Sequence, residues 1–243
     1  TGQPLGSKKN FTRQDTLRGS LGPGRIGWDV LHYDITVKPD YNSKTISGKN
    51  IIRYYDNGVK LMQIDLQEPM QIDSILHQGK SLSFKRDGNA FFTEVRDPNA
   101  MYKISPGIDS VAVYFSGKPV EAKRPPWDGG WIWKKDKTGS PWMSVACQGA
   151  GASIWYPCKD HQSDEPGNGA ILRMIVPDSL VAVGNGRMIE KNTAGSGFMQ
   201  YSWQVTAPIN NYLIIPSIGK YVHFGETYNG LKGSLSMDYW VLD

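Results

Sequence analysis

Histidines and cysteines are the first places to look for chemistry in this sequence, and their neighbours exclude most of it. A catalytic zinc held on a helix takes the form H-E-x-x-H, in which a Glu directly after the first His serves as general base. His32, His77, His161 and His223 are followed instead by Tyr33, Gln78, Gln162 and Phe224, so none begins that motif. Scattered in this way, they read as solvated or hydrogen-bonded residues of strands and loops. Cys147 and Cys158 form neither C-x-x-C nor a cluster with histidine, which excludes a structural zinc site of the cysteine type. They close one disulfide if the segment between them doubles back, or stand as two thiols in a buried strand pair; the spacing admits both. Cys147 ends an apolar run, whereas a nucleophilic thiol needs an electropositive, partly exposed setting.

Phosphate-binding patterns fail on context. Gly22, Gly24 and Gly27 satisfy G-x-G-x-x-G but precede a strand and follow none, while a dinucleotide cradle needs its third glycine to open a helix. Gly79-Lys80-Ser81 looks like the end of a phosphate loop, yet Ser74 stands where the earlier glycine belongs. No G-x-S-x-G elbow presents a nucleophilic serine. Neither a catalytic residue nor a metal ligand is therefore assigned to this chain. Trp127, Trp131 and Trp133, beside Lys134, Lys135 and Lys137, offer a stacking and cationic surface for a sugar or a single strand. The plainer reading is a loop pinned to the domain by its tryptophans, because Trp buries so much area.

The elements that must position such residues follow from periodicity. Residues 1–23 are polar, Gly-rich and aperiodic, as expected of an arm or leader lying over a domain that occupies 24–243. From there alternation begins: Leu31, Tyr33, Ile35 and Val37 face one way while His32, Asp34, Thr36 and Lys38 face the other. Pro39-Asp40-Tyr41-Asn42-Ser43 is turn chemistry, and 46–55 returns as a second strand, giving an opening hairpin. Short apolar runs ending in Gly, Pro, Asn or Asp recur at 62–66, 70–72, 82–84, 91–95, 111–115, 171–176, 198–205, 211–215, 221–224 and 235–241. No window of a dozen residues carries a helical stripe. The expected fold class is all-β, with stacked antiparallel sheets forming a sandwich or a curved, saddle-like open sheet. Residues 118–141, centred on Pro125-Pro126-Trp127-Asp128-Gly129-Gly130-Trp131, break the rhythm and read as a long surface loop.

Charge and hydropathy narrow the partners. The net charge of +4 comes from 27 cationic and 23 anionic side chains spread along the chain, so no basic stripe neutralises phosphates and nucleic acid is not an expected partner. No apolar run approaches the ~20 residues that span a bilayer, so no membrane span is expected, and from the polar residues at its start the expectation is that no signal peptide remains.

Two stretches carry a family resemblance. His32-Tyr33-Asp34-Ile35-Thr36-Val37-Lys38-Pro39-Asp40, followed by Ile46-Ser47-Gly48-Lys49-Asn50-Ile51, resembles the opening hairpin of the aminopeptidase-N-like zinc peptidases. Cys147-Gln148-Gly149-Ala150-Gly151-Ala152-Ser153-Ile154-Trp155-Tyr156-Pro157-Cys158-Lys159-Asp160 resembles that family's Gln followed by an aromatic-Pro-Cys-x-Asp segment, with the spacing of its leukotriene hydrolase branch. Three departures make it resemble a divergent bacterial subgroup: Ser153 stands where the family usually has Arg, the Asp-x-Pro is stretched to Asp160…Pro166, and the long Trp-rich loop is unusual. The resemblance implies a non-catalytic N-terminal domain, inactive alone, whose partner is its own C-terminal catalytic domain, where the parent's zinc resides. It implies that this domain forms one wall of the substrate cleft, and that Gln148 binds the peptide substrate's N-terminus. A periplasmic or cell-surface location accompanies that reading. The alternative from the residues alone is a free-standing β-sandwich carbohydrate-binding or adhesion module, resting on the eight tryptophans and the aromatic loop.

Overall fold

The computed structural model describes residues 10–96 and 106–243. Its centre is the opening hairpin, β1 (Trp28–Asp40) and β2 (Thr45–Asp56), paired along nearly its whole length from Trp28↔Asp56 to Asp40↔Thr45. Alternation builds it: Tyr33, Ile35 and Val37 are buried and Lys38 and Asp40 are exposed. One detail departs from strict alternation. A bulge between Val30 and His32 takes up Leu31 as the extra residue, so Trp28 and Val30 join Tyr33 on the core side while Leu31 is only half-buried.

The hairpin lies inside an open eight-stranded sheet. Beyond β2 come Gly107–Gly117, Gln71–His77 and Lys80–Leu82; beyond β1 come Ala170–Pro177, Phe198–Val205 and Arg187–Thr193. The sheet is not wholly antiparallel, because β1 and Ala170–Pro177 run parallel, with Tyr33↔Ala170 through Val37↔Met174 in register. A hairpin cannot make such a pair; a long crossover can, and everything from β2 to Asn168 supplies it. A four-stranded sheet (Val181–Val183, Ser217–Gly219, Pro141–Ala146, Gly130–Lys135) and a three-stranded one (Leu61–Asp65, Ala90–Glu94, Phe84–Asp87) stack against it. One continuous hydrophobic core joins them. Aromatic edges tie it together, Tyr33 to Tyr156 at 5.8 Å between centroids and Trp131 to Trp155 at 6.0 Å.

Three expectations from the sequence are corrected. Within 118–141, Gly130–Lys135 is a strand and not loop: Trp131 and Trp133 alternate into the core while Ile132 packs with Ala122 and Ala146 on the other face. Residues 211–215 do not form a strand; Asn211–Leu213 is a single turn of 3₁₀ helix, pulled inward by the Asn211 amide donating to Lys159 O at 2.9 Å and Asp164 O at 3.2 Å. Residues 13–19 and 23–26 are two short helices, α1 (Arg13–Gly19) and α2 (Pro23–Ile26), where no regular structure was expected. Thr12 and Asp15 make a reciprocal capping box at the start of α1, and Pro23 opens α2. Both helices are too short to display a periodic stripe.

The last two strands form a separate two-stranded sheet that touches the main core through Trp240, on Trp203. Tyr221–Gly230 and Gly233–Leu242 pair only with each other, and Phe224, Tyr228, Leu235 and Val241 remain exposed along them.

Candidate functional site

Gln148 sits where the strand Pro141–Ala146 ends. Val145, Ala146 and Cys147 are buried, and the chain then leaves the sheet in a tight turn in which Ala150 and Gly151 N–H both donate to Cys147 O, at 3.1 and 2.9 Å. Gln148 is exposed at its start. Gly151 has a left-handed φ of +87°, and a Cβ added there would lie 2.3 Å from Asp160 Oδ2, so glycine is required by both conformation and space. That close approach has a purpose: Asp160 caps the next turn, accepting from Ala152 N (3.2 Å), Ser153 N (3.1 Å) and Ser153 Oγ (2.6 Å). Gln67 Nε2 holds the turn from the other side, donating to Ala150 O at 2.5 Å.

Beneath lies a buried polar network. Asp160 N–H donates to Asp65 Oδ2 at 2.9 Å, and Asp65 also accepts from Gln63 Nε2 at 2.8 Å and Arg25 Nη2 at 2.6 Å. Arg25 is completely buried, and it enters from α2. Burial raises the Asp65 carboxyl above its ordinary 3.8, and the Arg25 charge pulls it back down. Ser153, the departure from the resembled family's Arg, thus serves as a donor to Asp160, while the buried cation of this region comes from Arg25. A second buried cation, Lys159, pairs with Asp164 and donates to Trp28 O.

Above the network is an open groove of about 1300 Å³. One wall is the strand end and turn, Ser144 to Gly149; another is Asp160, His161 and Gln162; a third is Tyr212, Leu213 and Ile215. Phe11, Asp15, Arg18 and Gly19 from the N-terminal segment, with Pro126 and Ile132, complete the lining. Its lining mixes apolar residues such as Val145, Leu213 and Ile215 with polar ones such as Gln148, Asp160 and Gln162.

The sequence-derived candidates fall as follows. Gln148 lines the groove. Cys147 and Cys158 are free, buried thiols, so the disulfide alternative is not what the structure adopts; burial pushes Cys147 up to about 12 and Cys158 well above its ordinary 9.0, which leaves both unreactive. His77 and His223 pair with Asp109 (2.7 Å) and Asp238 (2.8 Å), and His161 contacts Ser163 and Gly19 O. Among the described residues no three His, Cys, Asp or Glu side chains converge to hold a metal ion. The tryptophan platform is dismantled: Trp131 and Trp133 are core residues and only Trp127, 82% exposed, reaches solvent. Arg18, Gln67 and Arg25 had no signature in the sequence, since each acts across a gap in the chain of 40 residues or more.

No family model matches the sequence, and no curated protein matches it. Among solved structures, the M1 zinc metallopeptidase from Deinococcus radiodurans superposes with a TM-score of 0.68 at 17% identity, covering 88% of this chain and 47% of that one. A mutant of that enzyme bound to a Tyr-ser-ala substrate gives 0.69 at 18% identity over 88% of this chain and 48% of that one. Native yeast LTA4 hydrolase gives 0.61 at 17% identity over 86% and 31%. At such identities it is the fold that is shared. The chain spans about half the length of the first enzyme, 47%, and about a third of the second, 31%.

Proposed function

We propose that this chain is the non-catalytic N-terminal domain of a zinc aminopeptidase, that it forms one wall of the substrate cleft, and that Gln148 binds the peptide N-terminus. The observation that carries this reading is the placement of an exposed Gln148 in a groove of about 1300 Å³, on a fold shared with M1 zinc metallopeptidases. An amide suits the role. Its carbonyl accepts from the substrate's ammonium and its NH₂ donates to a substrate carbonyl, so one neutral side chain reads both ends of the first residue. In this reading the zinc chemistry belongs to the other part of the parent protein, in keeping with the lack of a ligand set among the described residues. That part is the expected partner, and the exposed apolar residues of the terminal hairpin, Phe224 and Leu235 among them, favour a covering domain. The carbohydrate-binding alternative loses its stacking surface with the burial of Trp131 and Trp133.

Two measurements test this. The gene downstream of Asp243 encodes H-E-x-x-H in this reading, and a continuation without it refutes the reading. In the longer protein, Gln148→Ala lowers kcat/KM for an aminoacyl p-nitroanilide roughly ten- to a hundredfold, the loss of a hydrogen bond to a charged group, with metal content and melting temperature unchanged. A value within about twofold of wild type removes Gln148 from the site.

A further inference from the structure

The N-terminal segment that lines the groove is held there in an unusual way. α1 buries none of its residues, so apolar packing does not explain its position. It is strapped at both ends by polar contacts. At one end Arg13 pairs with Asp87 at 2.6 Å, and Asn89 N–H donates to Gln14 Oε1 at 3.1 Å. At the other, Gln63 donates to Leu17 O at 3.0 Å and the buried Arg25 donates to Arg18 O and Ser20 O at 2.8 and 3.0 Å. The strap thereby delivers the Arg18 guanidinium to the Gln148 turn, where Nη2 donates to Gly149 O at 2.8 Å.

That contact matters because of what the turn lacks. Gly149 has φ +67°, and a Cβ built on it would meet nothing within 4 Å, so the turn is open at Gly149 itself, while its neighbours lie against Gly129, where an added Cβ would come within 2.3 Å of Ala150 Cβ and 3.2 Å of Gln148 O. Its inner half is fixed by Gln67 on Ala150 O and by Asp160 on Ala152 and Ser153. On the outer half, beside Gln148, the side chain that grips the backbone is Arg18.

We propose that Arg18 is a positioning residue for the substrate site: through the Gly149 carbonyl it fixes the turn that presents Gln148, which makes the segment from Phe11 to Ser20 a working wall of the groove. The proposal rests on the reading of Gln148 as the residue that meets the substrate. Arg18 itself touches no substrate in this role. Its effect is on how often Gln148 is in place, so it acts on binding more than on the chemical step.

The test uses the longer protein that carries this domain and an aminoacyl p-nitroanilide as probe. Arg18→Ala raises KM about three- to tenfold with kcat within about twofold, the consequence of losing one exposed charge-assisted hydrogen bond. Arg18→Lys, which keeps a donor of similar reach, recovers part of the loss. Placed in a Gln148→Ala background, Arg18→Ala adds less than about twofold, because the residue it positions is gone. Amide exchange gives a readout free of activity: in Arg18→Ala the amides of residues 149–151 exchange faster, while those of β1 and β2 do not change. Equal factors in both backgrounds, or unaltered exchange at 149–151, overturn the proposal. If Gln148→Ala is silent, the underlying reading falls and the role of Arg18 falls with it. If Gln148→Ala is damaging and Arg18→Ala is silent, only the positioning is refuted.

Discussion

Replacing Arg25 with Met removes the guanidinium paired with the buried Asp65 carboxylate while keeping most of the side-chain volume. Both groups are shut off from solvent, with side-chain exposures of 0% and 8% at 2.6 Å separation. Breaking a buried pair from one side costs about 3–5 kcal/mol, because the surviving charge keeps its desolvation penalty. Asp65 retains donors from Gln63 and from Asp160 N–H, which places the expected loss at the lower end, about 3 kcal/mol. For a chain of this size that is a melting-temperature drop of roughly 6–12 °C. Burial already raises the Asp65 carboxyl, and without Arg25 it rises further, so the acid picks up a proton more readily in the folded than in the unfolded state. The penalty is therefore full at neutral pH and shrinks as pH falls through the raised value. Arg25→Met/Asp65→Asn, with no charge left to strand, recovers much of the loss. Urea unfolding of the wild type, both single variants and the double variant, at neutral and mildly acidic pH, measures each term. The reasoning fails if Arg25→Met lies within about 0.5 kcal/mol of wild type, or if the two single losses simply add in the double variant.

Two further predictions separate core from surface and buried from solvated histidine. Trp131→Ala, at a fully buried site, destabilises by about 3–5 kcal/mol in chemical unfolding, whereas Trp127→Ala, at an 82% exposed one, stays within about 0.5 kcal/mol; similar losses would return the whole segment to the surface. Burial, helped by Arg53 and Arg173 and opposed by Asp34, lowers the His32 imidazole below its ordinary 6.5, so the folded state resists protonation there. Stability is accordingly present above that value and declines as pH falls through the depressed one, and His32→Gln flattens the decline in urea midpoints measured from about pH 7.5 to about 5. An unchanged slope in the variant would show that other groups govern this window.

Much of the fold is legible in local pattern. The period of two in β1 and β2, with Pro39-Asp40 and the turn after it, specifies a hairpin because alternation on a half-buried strand leaves only one face able to meet the core. The same logic finds the strands at 111–115, 171–176 and 198–205. It failed where the pattern was too short or the decisive partner too remote. Trp131-Ile132-Trp133 alternates, but three residues among prolines and glycines look like loop until Pro141–Ala146 pairs with them. Asn211-Tyr212-Leu213 reads as strand, yet the buried Asn211 amide satisfies two distant carbonyls and curls the chain instead. The parallel pairing of β1 with Ala170–Pro177 is likewise a matter of chain crossover, on which alternation is silent.

The resemblance carried by Gln148, Pro157, Cys158 and Asp160 singled out Gln148 as a candidate, but nothing local revealed the groove beside it. That groove draws its walls from 11–19, Pro126, Ile132, 144–151, 160–162 and 212–215, and its Gly149 turn is held by an arginine 131 positions away. Side-chain identity and short-range period determine which residues turn inward and where strands begin. Which distant segments then meet, and hence which carbonyl a given guanidinium finds, is decided only when the sheets stack and the loops between them are brought to one rim.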